Sequence, residues 1–258
     1  MTTRLPPRLL ARPETVTRRL RALASLTDVE MTLLHGLGDR RKRHVAGDLL
    51  TAEGELDGRP RFILSGWACR QRTLSDGRRQ IFSFLLPGDS VSIIGRKHPE
   101  VCAVVALTPV ETGDAQLLVE AADSGRAPGL ARALAALEPQ EHTLLLDHMV
   151  RLGRQTAYER VAHLLLEFQG RLKVVGLGDD QRFPLPLTQE VMGDALGLSI
   201  VHVNRTLQQL RRDRLLELRS GVAILPQPER LAEIAGVRPR VRSVSPVDGK
   251  GIEDSASA

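Results

Sequence analysis

The stretch Leu187-Thr188-Gln189-Glu190-Val191-Met192-Gly193-Asp194-Ala195-Leu196-Gly197-Leu198-Ser199-Ile200-Val201-His202-Val203-Asn204-Arg205-Thr206-Leu207 reads as two helices joined by a tight turn. Thr188 stands where an N-cap hydroxyl is needed, and Gly197 where the chain must enter the left-handed region to reverse direction. Ser199 is placed to cap the second helix. Gly193, small and on the first helix, lets Val203 of the second approach closely, as a steep crossing requires. Together these features are the grammar of a helix-turn-helix. On the second helix Val203, Leu207 and Leu210 recur at helical spacing and face inward, which turns Val201, His202, Arg205, Gln208, Gln209 and Arg212 outward. Arginine, glutamine, asparagine and histidine hydrogen-bond base edges or phosphates. The expected DNA-binding set is therefore Thr188, Gln189, Ser199, Val201, His202, Asn204, Arg205, Gln208, Gln209 and Arg212. Downstream, Leu215 to Leu218, a turn at Arg219-Ser220-Gly221, and Val222 to Leu225 form an expected two-stranded wing.

Upstream, Thr156 to Phe168 carries Val161, Leu164, Leu165 and Phe168 at helical spacing. Gly170 to Pro186 reads as a hairpin, with Leu172 to Leu177 and Arg182 to Leu185 joined by Gly178-Asp179-Asp180. Between Pro128 and Gly153 the pattern is again helical, with two apolar stripes. Leu130, Leu134, Leu137, Leu144 and His148 lie on one, and Leu145, Met149 and Leu152 on its neighbour. A helix of about 25 residues is near 37 Å long, more than one small barrel covers, so a second copy is the economical second surface. The spacing of the first stripe makes Leu130, Leu134, Leu137, Leu144 and His148 the expected seam of a homodimer, with a kink at Pro139.

Residues 44 to 119 follow another rhythm. Short apolar runs at Arg61 to Leu64, Trp67 to Cys69, Ile81 to Leu85 and Val101 to Val105 are separated by Asp57-Gly58, Ser75-Asp76-Gly77, Pro87-Gly88-Asp89 and Pro109. Short strands with such turns indicate an antiparallel roll or sandwich. The basic stretch before residue 44 has apolar residues at Leu20, Leu23, Leu26, Leu33 and Leu34, the spacing of one or two short helices. The expected class is α+β: an N-terminal antiparallel, jelly-roll-like β-roll with preceding helices over 1–127, a long central dimerisation helix over 128–153, a winged helix-turn-helix over 154–236, and a disordered tail over 237–258.

Composition narrows the function. The 258 residues include 36 Lys plus Arg against 31 Asp plus Glu, and only four of the bases are lysine. Arginine suits bidentate recognition of phosphate and guanine, which a GC-rich coding bias also favours, so composition alone does not decide for DNA. No apolar run approaches the roughly 18 residues of a membrane span and none serves as a signal peptide, so a cytoplasmic protein is expected. Two cysteines, Cys69 and Cys102, are too few for a disulfide framework or a four-cysteine cluster. His35, His44, His98, His142 and His148 show no metal-ligand spacing, and no convergent catalytic set emerges. No enzyme, no metal and no cofactor is expected.

Gly153 to Leu165 followed by Thr188 to Leu225 resembles the C-terminal half of Crp/Fnr-type transcription regulators. Leu64-Ser65-Gly66-Trp67 and Leu86-Pro87-Gly88-Asp89 are similar to the strand and turn pattern of their cyclic-nucleotide-binding-like roll. The resemblance implies a homodimer joined by the central helix, two winged helices on a near-palindromic double-stranded DNA site, and contact with RNA polymerase. It places Arg205 opposite guanine O6 and N7. Departures are informative. Ser90 to Cys102 lacks the Gly-Glu and Arg-Ser/Thr cassette that holds a cyclic phosphate, although Arg96, Lys97 and His98 offer charge. The iron-sulfur members need four cysteines, and the haem members place Cys and His where this chain has Ser92 and Ile94. Val201 replaces a glutamate and suits a thymine methyl. The alternative reading is a haem, metal or redox sensor whose DNA binding is secondary.

Overall fold

The computed structural model describes residues 13–56, 58–93 and 98–236. The tail expected over 237–258 and the cations Arg96 and Lys97 lie outside the described residues. Two short helices, α1 (Glu14–Arg21) and α2 (Asp28–His35), precede the strands. Eight strands follow: β1 (Arg41–His44), β2 (Leu49–Thr51), β3 (Arg61–Ser65), β4 (Ala68–Thr73), β5 (Arg79–Leu85), β6 (Ser90–Val91), β7 (Ala103–Ala106) and β8 (Val110–Asp114). They pair antiparallel into two four-stranded sheets, β1-β8-β3-β6 and β2-β7-β4-β5. Leu50, Ile63, Ala68, Leu85, Val91, Val104, Ala106 and Val110, drawn from both sheets, form one apolar layer. Gly66 lets the chain cross from the first sheet to the second. Its φ is +80°, and a Cβ there would stand 2.1 Å from the Pro109 carbonyl oxygen. The strand Arg41-Lys42-Arg43-His44 has no apolar alternation, since only His44 is buried. It is an edge strand, and charge on an edge discourages pairing with another chain.

After α3 (Gln116–Asp123) come α4 (Pro128–Ala135) and α5 (Leu137–Arg154). The expected single helix over 128–153 is thus two, and the break falls at Ala136 rather than at Pro139. A proline ring clashes with the carbonyl four residues before it, here that of Ala135, so the helix restarts with Pro139 in its first turn. Glu30 fixes the start of α4. Its carboxylate accepts the Leu130 N–H at 3.0 Å and the Thr27 N–H at 2.8 Å, the latter within a capping box on α2. Burial works to raise this carboxyl, but the hydrogen bonds from Thr27, Leu130 and Gly129 outweigh it and hold Glu30 below the ordinary range. A depressed folded pKa adds stability that is full above the unfolded value and lost as pH falls through the folded one. Glu30→Gln should therefore destabilise the fold by about 1–3 kcal/mol at pH 7. In denaturant melts, the gap to wild type should close as pH drops below about 4.3.

The two-piece geometry also changes which apolar stripe faces out. Leu130, Leu137 and His148 of the expected seam are buried within the chain, while Leu134 and Leu144 are half-buried. Leu130 and Leu137 pack with α1, α2 and α3 in one cluster. Burial, with Arg151 adding to it, pushes the His148 imidazole down to about 4, so it packs as a neutral ring. Of the neighbouring stripe, Leu145 and Met149 stay in solvent while Leu152 is half-buried; Leu146 and Val150, which the spacing did not single out, are exposed beside them, Leu146 at 61 % and Met149 at 62 %.

Beyond Gln155 the chain forms α6 (Ala157–Val174), β9 (Arg182–Pro184), α7 (Gln189–Leu196), α8 (Ile200–Arg212), β10 (Glu217–Arg219), β11 (Val222–Ile224) and α9 (Pro228–Ala235). The hairpin expected over 170–186 does not form. Leu172 extends the buried stripe Val161, Leu165 and Phe168 by one helical step, and Gly170 sits on the exposed side, where its cost of about 1 kcal/mol is tolerated. β9 pairs instead with β11, making the wing three-stranded in the order β10-β11-β9.

One core joins the roll to the C-terminal half. Trp67, Cys69, Ile81, Phe84 and Leu86 pack with Phe168, Leu172 and the helices behind them. Three of the chain's seven aromatic rings meet there edge to face: Trp67 and Phe168 at 4.9 Å, and Phe84 and Phe168 at 5.0 Å. Rings so arranged contribute beyond the area they bury. Beside them Arg171 bonds Asp89, the Phe84 carbonyl and Glu167, and Glu167 also holds Arg151 at 2.7 Å.

Candidate nucleic-acid interface

The helix-turn-helix is built by local chemistry. The Thr188 hydroxyl accepts the Val191 N–H at 3.2 Å and caps α7, while Ser199 accepts the His202 N–H at 3.2 Å and caps α8. Gly197 lies at φ +63°, ψ +37°, and the Leu198 N–H returns to the Gly193 carbonyl at 3.1 Å. Gly193 is needed for a reason other than the one its spacing suggests. A Cβ there would stand 2.6 Å from the Leu198 carbonyl oxygen, against 3.9 Å from Val203, so the turn rather than the crossing helix excludes a side chain.

Val203, Thr206, Leu207 and Leu210 bury one side of α8. At 3.6 residues per turn, Val201, His202, Gln208, Gln209 and Arg212 project within about 60° of Arg205. All six are exposed. Gln189, Ile200, Val201, Asn204, Arg205 and Gln208 line a shallow concavity between α7 and α8. Ile200, which the spacing did not single out, joins Val201 as an exposed apolar pair, Val201 at 68 %. Asn204 is half-buried and bonded to both glutamines: it donates to Gln189 Oε1 at 3.1 Å and accepts from Gln208 Nε2 at 2.8 Å. Of the expected residues, Thr188 and Ser199 are caps and Asn204 is held within the protein. Gln189 is half-buried and, like the exposed Gln208, bonded to Asn204, while Val201, His202, Arg205, Gln209 and Arg212 are exposed.

The unit is braced from two sides. Tyr158 on α6 donates to Asp213, at the end of α8, at 2.6 Å, and burial together with that carboxylate pushes its phenol up to about 12. Arg160 donates to the Leu196 carbonyl at 2.9 Å, satisfying the end of α7. From the roll, Arg79 on β5 reaches Asp194 at 2.6 Å and Glu190 at 3.8 Å, and Gln80 donates to the Ala195 carbonyl at 3.4 Å. In the wing, Ser220 and Gly221 take φ of +49° and +78°, as a two-residue hairpin turn requires.

Residues 159–234 match the family of Crp-like helix-turn-helix domains, and residues 41–114 match the cyclic nucleotide-binding domain. The nitrogen fixation regulation protein FixK of Bradyrhizobium diazoefficiens is 32 % identical over 216 residues, which cover 82 % of this chain and 88 % of the relative. The chain belongs to the Crp/Fnr family. The transcriptional activator FnrL of Cereibacter sphaeroides is 32 % identical over 183 residues, 67 % of this chain and 71 % of the relative. Among solved structures, FixK2 from Bradyrhizobium japonicum superposes with a TM-score of 0.65 at 30 % identity, covering 75 % of this chain and 96 % of that one. This Crp/Fnr protein is a DNA-binding transcription regulator and not an enzyme.

The roll of this Crp/Fnr protein is tied to α5. Arg70 on β4 donates to the Ser90 carbonyl at 3.2 Å and to Glu141 at 3.1 Å, and the Ser90 hydroxyl donates to Glu141 at 3.4 Å. Burial pushes the Cys69 thiol up to about 12 and raises that of Cys102 as well. The thiolate is the reactive form, and burial disfavours it at both cysteines. Among the described residues no cluster of three or more His, Cys, Asp or Glu is arranged to hold a metal, and no helix is long and apolar enough to cross a membrane.

Proposed function

We propose that this regulator acts in the cytoplasm as a homodimer on a near-palindromic DNA site, with α8 of each protomer in successive major grooves about 34 Å apart. The observation that carries the reading is the outward face of α8, where Arg205 is exposed among Val201, His202, Gln208, Gln209 and Arg212 and is flanked by the apolar pair Ile200–Val201. Arg205 is assigned to the O6/N7 edge of a guanine, and Val201 with Ile200 to a thymine methyl. His202, Gln209 and Arg212 are assigned to the flanking backbone and base edges, and the free N–H groups at the start of α7, around Thr188 and Gln189, to a phosphate. RNA polymerase is the protein partner that fits a regulator of this family.

The homodimer seam is reassigned to Leu145, Leu146, Met149 and Val150 of α5. Exposed apolar residues one turn apart on a helix of 18 residues make a stripe that water favours covering.

Replacing Arg205 by Ala tests the base contact. Specific binding should weaken by about 1–3 kcal/mol while binding to random DNA changes little. Fluorescence anisotropy on a selected site and on random duplex separates the two. An equal loss on both would assign Arg205 to phosphate.

A further inference from the structure

Asn204 sits on the recognition helix yet has both ends of its amide engaged inside the protein. Its Nδ2 donates to Gln189 Oε1 at 3.1 Å across the turn between α7 and α8, and its Oδ1 accepts from Gln208 Nε2 at 2.8 Å one helical turn on. The three amides form a chain that runs, donor to acceptor, from Gln208 through Asn204 to Gln189. Asn204 is half-buried, whereas Gln208 is exposed at the edge of the concavity that also holds Arg205. Reversing any one amide would set two N–H groups or two carbonyls against each other, so each link fixes the next. Gln208 thereby keeps its Oε1 and its second N–H free and turned away from the protein.

A free amide with one acceptor and one donor side by side is the complement of adenine, which offers N6–H and N7 in the major groove. We propose that Gln208 reads an adenine in the same half-site as the guanine of Arg205, and that Asn204 is the positioning residue that orients it, not itself a reader of bases. This assignment rests on the placement of α8 in the major groove. It adds a base that the apolar pair Ile200–Val201 and Arg205 do not specify. Pre-orienting a long flexible side chain reduces what must be ordered on binding, and this is why a half-buried asparagine improves a contact it does not make.

The test uses the full-length protein and duplexes in which each base pair of a selected half-site is replaced in turn, with affinity read by anisotropy. Gln208→Ala should lower the preference for A·T at one position by about tenfold. Asn204→Ala should lower it at that same position, and the double variant should lose no more than Gln208→Ala alone. Asn204→Asp, which keeps the acceptor for Gln208, should weaken all sites alike and retain the preference. Circular dichroism melts of each variant check that the fold is intact.

If Asn204→Ala changes preference at a different base pair from Gln208→Ala, Asn204 reads bases itself and the assignment is overturned. If neither variant changes preference at any position, the amide chain only joins the two helices, and the assignment is again overturned. A wild-type protein with no base preference at all would instead overturn the placement of α8. If wild type selects a site, Arg205→Ala relaxes it and Gln208→Ala does not, only the adenine assignment fails.

Discussion

Leu146→Asp combined with Met149→Asp should convert the protein to monomers in sedimentation velocity and cut its affinity for a two-half-site DNA by about 100-fold or more. Both residues lie on the solvent side of α5 within one chain, so the charges cost little in a folded monomer. In a dimer seam each carboxylate would lose its water without gaining a counter-charge. The affinity follows because two linked recognition helices bind the second half-site as an intramolecular event, and unlinked ones do not. Binding to a single half-site should be nearly unchanged, which separates loss of assembly from loss of the DNA-reading face. A double variant that still sediments as a dimer would place the seam on another surface. Leu130→Asp is the contrasting case: Leu130 is buried against α1, α2 and α3, so that change should unfold the N-terminal half rather than merely dissociate it.

Glu167→Gln should be the most destabilising single conservative change, costing about 3–5 kcal/mol. Glu167 lies between Arg151 and Arg171, 2.7 Å from each, and Arg151 is only 2 % exposed. Removing the carboxylate leaves the Arg151 guanidinium buried with its counter-charge gone, while Arg171 keeps Asp89. Such a loss moves the thermal midpoint by roughly 6–20 °C in a chain of this size. Replacing Arg151 and Glu167 together by methionine should recover much of it, because a packed apolar pair replaces an isolated charge. Burial works to raise the Glu167 carboxyl, but Arg151 and Arg171 outweigh it and hold it low. Its contribution is therefore present at neutral pH and lost only as pH falls through that depressed value. The network joins α5, α6 and the Pro87-Gly88-Asp89 turn of the roll, so partial unfolding of Glu167→Gln should also loosen the two halves. Hydrogen exchange along α6 and this turn would register it.

The positions legible in the sequence are those whose chemistry is local. The N-caps Thr188 and Ser199, the left-handed Gly197, the turn at Ser220-Gly221 and the buried spacing of Val203, Leu207 and Leu210 each depend on residues within a few positions, and each is where the spacing put it. The outward face of α8 follows from the same spacing, so most of the reading surface could be named from the chain alone. Asn204 has the residue type of a base reader; only the positions of Gln189 and Gln208 show its amide already engaged.

Tertiary structure decided what periodicity leaves degenerate. Two apolar stripes on one helix are equivalent by spacing, and the packing of α4 and α5 against α1, α2, α3 and the roll buries Leu130, Leu137 and His148 of one and leaves Leu145 and Met149 of the other in water, with Leu146, on neither stripe, exposed beside them. The break at Ala136 follows the clash of Pro139 with a carbonyl one turn earlier, a steric effect that residue type announces but does not place. Gly170 reads as a helix end until Leu172 is seen to fill the core beside Phe168, where burial outweighs a glycine's entropy. The edge strand Arg41–His44 carries no apolar alternation, since its pairing comes from backbone groups of β8 and not from its side chains. The bracing of the helix-turn-helix by Arg79 and Asp194 spans 115 positions of chain, a separation over which no local pattern acts. Sequence fixes a residue's chemistry and the face of its own element on which it stands; which face is covered depends on the elements that fold against it.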